Sequence, residues 1–134
     1  MERLGDECRA NDIPFFLEFV VYEEGVDEKG FDFSKKKPKA VIESMREFTK
    51  DRYGVDVMKV EVPINMKFVE GTKSYKGEKA YSKQEAMKFF HEAAAVATKP
   101  FIYLSAGVSN AEFTDSAASS SDSVNSALLT PADR

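Results

Sequence analysis

The sequence predicts an α/β fold built on about three parallel strands with helices between them. Three short apolar runs, residues 13–22, 55–62 and 101–106, are spaced along the chain. Two stretches between them carry apolar residues at helical spacing. The resulting order, strand–helix–strand–helix–strand, implies parallel pairing through right-handed crossovers.

The first ten residues read as the tail of a helix. Residues 13–22, IPFFLEFVVY, are rich in aromatic and branched side chains and are closed off by the EEG that follows. That pattern predicts a strand buried on both faces. Residues 23–37 are polar, contain Gly25 and Gly30, and predict a loop. Pro38 is the expected start of a helix on which Val41, Ile42, Met45 and Phe48 form one apolar face, with Gly54 after its end. Residues 55–62, VDVMKVEV, predict a second strand stopped by Pro63. A loop over residues 64–80 leads to Ser82 and Glu85, a capping box that opens a second helix. Ala86, Phe89, Phe90, Ala93 and Ala97 give that helix its apolar side. Lys99 and Pro100 end it, and FIYLSA, residues 101–106, is the third strand. Residues 116–126, SAASSSDSVNS, hold six serines and one apolar residue larger than alanine. A segment with so little apolar surface is expected to be disordered or weakly helical.

Composition narrows the function. The chain has 134 residues, 43% hydrophobic and 31% charged, with a net charge of -4. That balance fits a globular domain and argues against nucleic acid as a partner, which calls for a basic face. The lysines at 35, 36, 37 and 39 read as a solvated helix start. Cys8 is the single cysteine, so neither an internal disulfide nor a cysteine metal site forms. No run has signal-peptide or membrane-spanning character, and the expected location is cytoplasmic, with no membrane partner.

Each predicted strand carries one polar residue among apolar neighbours: Glu18, Lys59 and Ser105. A buried charge is costly unless paired or functional. All three lie toward the carboxyl ends of their strands, where barrel and open α/β enzymes place their chemistry. Alternation puts Phe16, Glu18 and Val20 on one face of the first strand, and Val57, Lys59 and Glu61 on one face of the second. If these faces coincide, Glu18 and Lys59 meet. A desolvated lysine amine attacks ketones, and a nearby carboxylate moves the protons. The pair reads equally as a structural ion pair. Glu61 reads either as a second inward carboxylate or as a partner of Lys59. Ser105, Ala106 and Gly107 form a turn suited to phosphate, although such turns are common. His91 reads as a surface or boundary residue of an amphipathic helix.

Four stretches, IPFFLEF, GVDVMKVEVPINMKFVEG, YSKQEA and PFIYLSAGVS, resemble the tagatose 1,6-bisphosphate aldolases, in order and with intact spacing from Arg3 to Phe113. The resemblance implies a (β/α)8 TIM barrel and a class I mechanism without metal or other cofactor. It implies a phosphorylated ketose substrate, tagatose 1,6-bisphosphate, cleaved to dihydroxyacetone phosphate and glyceraldehyde 3-phosphate. It makes Lys59 the Schiff-base lysine, Glu18 the acid/base glutamate, and Ser105, Ala106 and Gly107 phosphate-binding. Only three strands are visible, and they correspond to the family's fifth to seventh. Residues 1–113 are therefore expected to form part of a barrel and residues 114–134 an unrelated serine-rich tail. Three strands do not close a barrel. The chain by itself is expected to be inactive or nearly so and to self-associate through exposed strand edges. An inactive fragment, a partner that completes a barrel, and a related sulfo-sugar phosphate aldolase are the alternatives.

Overall fold

The computed structural model describes residues 1–104 and 108–129, the last ten of these by their backbone alone. Helix α1 (Glu2–Ala10) precedes strand β1 (Phe16–Phe19). Helix α2 (Phe31–Phe48) leads to β2 (Val57–Glu61), and after the short strands β3 (Val69–Glu70) and β4 (Tyr81–Ser82) comes helix α3 (Lys83–Val96). Strand β5 (Phe101–Leu104) and helix α4 (Asn110–Leu129) follow. The main sheet is parallel with the order β1-β2-β5. Chain order is thus sheet order, as in one arc of an α/β barrel, and the predicted class and pairing hold.

The helices cover one side of this sheet. Val41, Ile42 and Met45 of α2 and Ala93 of α3 meet Leu17, Met58 and Val60 from the strands, all of them buried. A second cluster unites Val62, Ile64, Met66 and Val69 with Ala86 and Phe90 of α3. Each such side chain withdrawn from water contributes about 1.5–3 kcal/mol before entropy is counted. Among the described residues the opposite side of the sheet is bare. Phe16, Val20 and Ile102 are each more than half exposed, while Leu17 and Met58 beside them are buried. The expectation of a first strand buried on both faces is corrected here, because among the described residues nothing covers the face of Phe16 and Glu18.

Two further expectations change. Helix α2 starts at Phe31, and Pro38 lies inside it, fully buried. Proline at a helix start is favourable, but the apolar period that buries Val41 and Met45 continues upstream through Ser34 and Phe33 and carries the helix with it. The serine-rich stretch, residues 116–126, for which disorder and weak helix were both expected, lies within α4, which passes without a break through residues 113 and 114. Its start is a capping box. The Glu112 N–H donates to the Ser109 hydroxyl at 3.3 Å, and the Glu112 carboxylate accepts the Ser109 N–H at 2.8 Å. Ser116 and Ser119 donate back to carbonyls one turn earlier, at 2.8 and 2.9 Å, which lets small polar side chains face the protein. The Asp115 carboxylate accepts both the N–H and the hydroxyl of Ser74, at 2.8 and 2.6 Å. No described helix is long and apolar enough to cross a membrane.

The strand-entry end is tied by specific contacts. A Cβ on Gly5 would lie 1.9 Å from the Tyr53 carbonyl oxygen, so only glycine lets α1 seat there. Gly54, facing it, has φ +63°. Thr49 and Thr98, just past α2 and α3, share three bonds. Their hydroxyls are 2.8 Å apart, the Thr98 N–H donates to the Thr49 hydroxyl at 2.8 Å, and the Thr98 hydroxyl donates to the Thr49 carbonyl at 3.1 Å.

Candidate functional site

Glu18 and Lys59 occupy the same rung of the β1–β2 ladder. Period-two alternation sends both to the bare face. There Lys59 Nζ lies 2.7 Å from Glu18 Oε2, a charge-assisted hydrogen bond. The side chains are 39% and 49% exposed. The convergence expected from the sequence is present, in a setting far wetter than a closed active site. On the next strand the same rung continues to Ile102.

Glu61, two residues beyond Lys59, does not join the pair. Its Oε2 accepts the Val21 N–H at 2.7 Å, and its Oε1 lies 3.0 Å from Lys37 Nζ. Lys37 and Glu61 are only 15% and 20% exposed. Sequence reasoning placed Lys37 in a solvated basic run, and its neighbours do behave that way: Lys36 pairs with Glu23, and Lys35 sits over the Phe31 ring. The period of α2 held the missing signal, since Lys37 lies one turn before buried Val41 and three residues after buried Ser34.

A cavity of about 200 Å³ opens beside the exits of β1 and β2. Lys29, Lys37, Lys67 and Lys76 line it together with Glu61 and Glu112. Burial opposes the charge on Glu112, but the Ser109 amide and hydroxyl and the nearby Lys67 and Lys76 outweigh it and hold the carboxyl below its ordinary range. Neither Glu18 nor Lys59 lines this cavity. Ser105, Ala106 and Gly107 lie outside the described residues. His91 lies within α3 and is partly buried, and Cys8 packs partly buried against the core. Among the described residues no three His, Cys, Asp or Glu side chains are grouped to hold a metal ion.

The arrangement supplies an amine and a carboxylate in hydrogen-bond contact on rigid neighbouring strands. That suits proton exchange between the two, and carbonyl addition once the amine is free.

A family model described as DeoC/LacD family aldolase matches residues 1–127. The match runs past Phe113 and takes in nearly all of α4. A tagatose 1,6-diphosphate aldolase of Staphylococcus epidermidis is 51% identical over 116 residues, 86% of this chain and 35% of that protein. One from Staphylococcus haemolyticus is 52% identical over 110 residues, 81% of this chain and 33% of that protein. A tagatose 1,6-diphosphate aldolase 1 of Enterococcus faecalis is 52% identical over 114 residues, 84% of this chain and 34% of that protein. The chain spans about a third of the length of these relatives.

Proposed function

The chain belongs to the DeoC/LacD aldolase family, and from that premise we propose that it carries the reaction-centre strands of a class I ketose-bisphosphate aldolase. One observation carries the proposal: the 2.7 Å contact between Lys59 and Glu18 near the carboxyl ends of adjacent parallel strands. Lys59 is the nucleophile. Its ammonium first gives a proton to Glu18, the base in contact with it. The free amine adds to the ketose C2 carbonyl, Glu18 returns its proton to the hydroxyl so formed, and loss of water leaves an iminium and a Glu18 carboxylate. The C3–C4 bond then breaks as the C4 hydroxyl proton passes to Glu18 and the bonding pair moves into the iminium. The aldehyde half departs. Protonation at C3 and hydrolysis release the ketone half and regenerate the amine. The names of the relatives support a tagatose bisphosphate substrate, which would yield glyceraldehyde 3-phosphate and dihydroxyacetone phosphate. Ser105, Ala106 and Gly107 are proposed to receive a substrate phosphate.

Trapping tests the role of Lys59. Borohydride reduction in the presence of dihydroxyacetone phosphate should add the reduced triose mass to the peptide holding Lys59, and Lys59→Met should abolish the adduct. Equal labelling of other lysines, or labelling that survives the substitution, overturns the assignment. Ketose bisphosphates and sulfonated ketose phosphates compared as competitors in the same assay decide the substrate class.

The bare sheet face favours a second statement about this polypeptide alone. With Phe16, Val20 and Ile102 open to water and both sheet edges unpaired among the described residues, the 134-residue chain is a reaction segment that needs a covering wall to turn over. It should cleave substrate at least about a thousandfold more slowly than a typical enzyme turnover of about 10 s⁻¹. It should also self-associate with rising concentration in sedimentation velocity. Full turnover by a monomer refutes this statement and leaves the role of Lys59 intact.

A further inference from the structure

We infer that Glu61 is a positioning residue for the Glu18–Lys59 pair, acting with Lys37 as a clamp across the strand exits. The inference rests on the proposed role of Lys59. The β1–β2 ladder runs from Phe16↔Val57 to Phe19↔Val60, so Glu18↔Lys59 is the rung before the last. Past Phe19 the chain leaves the sheet, and the Val21 N–H needs an acceptor that the ladder no longer offers. The Glu61 carboxylate provides it at 2.7 Å. The second oxygen of that carboxylate binds Lys37 at 3.0 Å. Among ion pairs of the described residues, this one alone has both side chains less than a quarter exposed.

Lys37 in turn is set in α2 between buried Ser34 and buried Val41. A continuous path therefore runs from the core helix through Lys37 and Glu61 to the exit of β1. The other restraints at this end of β1 are the ladder and the packing of Phe19 and Val21 against the core, with the Phe19 ring 5.5 Å from that of Phe48, and among the described residues β1 is an edge strand with no neighbour on its far side. If β1 splays at its exit, Glu18 moves away from Lys59. A contact of 2.7 Å does not survive a displacement of about 1 Å. Misplacement on that scale costs about a hundredfold in rate for well-oriented groups.

Three substitutions divide the clamp into its parts. Glu61→Ala removes both contacts. Glu61→Gln keeps a neutral acceptor for the Val21 N–H. Lys37→Met keeps the carboxylate and removes its cation. The readout is the rate of borohydride trapping at Lys59 with dihydroxyacetone phosphate, measured against pH and normalised to the folded fraction. Glu61→Ala should slow trapping at least about tenfold, Glu61→Gln should recover to within about threefold of wild type, and Lys37→Met should fall between them. Glu18→Gln should slow the wild-type chain about tenfold and the Glu61→Ala chain less than about twofold, because the carboxylate is already out of reach. A full Glu18→Gln effect in the Glu61→Ala background, or trapping by Glu61→Ala within twofold of wild type, overturns the inference.

If the wild-type chain gives no adduct at Lys59, the Schiff-base reading fails, and the clamp is judged by nuclear magnetic resonance instead. Glu61→Ala should then lose the Glu18–Lys59 side-chain cross-peak and expose the Val21 amide to exchange, with Glu61→Gln restoring both. Persistence of the cross-peak in Glu61→Ala overturns the clamp independently of any chemistry.

Discussion

Replacing Glu18 by Gln, Lys59 by Met, and both together closes a double-mutant cycle on the reaction pair. The size of the coupling follows from the geometry. Unit charges at the observed 2.7 Å attract by about 1.5 kcal/mol under water-like screening. Exposures of 39% and 49% keep that screening in force, and two long side chains must be held still. The net coupling should be about 0.2–1 kcal/mol, as for exposed pairs generally. Urea unfolding of the four chains at low salt, with the cycle taken on the extrapolated free energies, measures it. A coupling above about 2 kcal/mol would refute the reasoning, since only a desolvated structural pair reaches that size. The contrast with the neighbouring pair sharpens the test. Lys37 and Glu61 are 3.0 Å apart and far less exposed, and Glu61→Ala also strips the Val21 N–H of its acceptor. That substitution should destabilise the fold by about 2 kcal/mol or more. The pair assigned the chemistry is then the one the fold needs less.

Three more outcomes follow from the described contacts. The Glu47 carboxyl is drawn from 4.5 to about 2, first by the Lys50 ammonium and then by the Tyr53 hydroxyl and Arg52. Because its folded pKa lies below the unfolded one, its contribution is complete above pH 4.5 and drains away as the pH falls toward 2. The gap in thermal midpoint between wild type and Glu47→Gln should therefore stay level above about pH 5 and close below it, and a gap that is constant down to pH 2 contradicts this. Met58→Ala, at a fully buried position between sheet and helices, should cost about 2–4 kcal/mol in urea unfolding, and a loss under 1 kcal/mol would mean that the core collapses to fill the space. Ser82→Ala breaks the capping box of α3 and should cost about 1 kcal/mol, with Ser82→Gly milder, and the reverse order would contradict the capping role.

The sheet was legible because each strand is a short apolar run closed by proline or glycine, and such runs separated by helices admit few arrangements. The capping box at Ser82 located α3 within a residue. Alternation put Glu18 and Lys59 each on one face of its strand, to meet if those faces coincide, and the ladder register sets them on one rung. Composition was less reliable than capping in the serine-rich stretch. SNAE at residues 109–112 has the same pattern as SKQE at 82–85, and composition, which left disorder and weak helix both open, did not locate the helix it begins. Pro38 misled in the same way, because a strong local rule masked the longer apolar period of α2. The β3–β4 pairing, two rungs joining Val69 to Tyr81 and Glu70 to Ser82, has no local signature. Lys37 shows where legibility ends. Its helical phase marks it as facing inward, but no pattern within α2 reveals that its partner is Glu61 on the next strand.

The Thr49–Thr98 bonds and the Gly5 contact lie at the end of the sheet where strands begin, while the aldolase assignment concerns the end where they finish. Mutational freedom in this chain should be polarised accordingly. Residues 23–30 and the exposed positions among 71–79, which border the cavity end, can accept new sequences without loosening the seams that align the strands. At the other end, one added methyl group on Gly5 meets a carbonyl oxygen with no room to yield. A lineage drifting toward a new substrate would keep its seams fixed and rewrite the opposite rim, and a library built on this fold would do well to diversify the same rim.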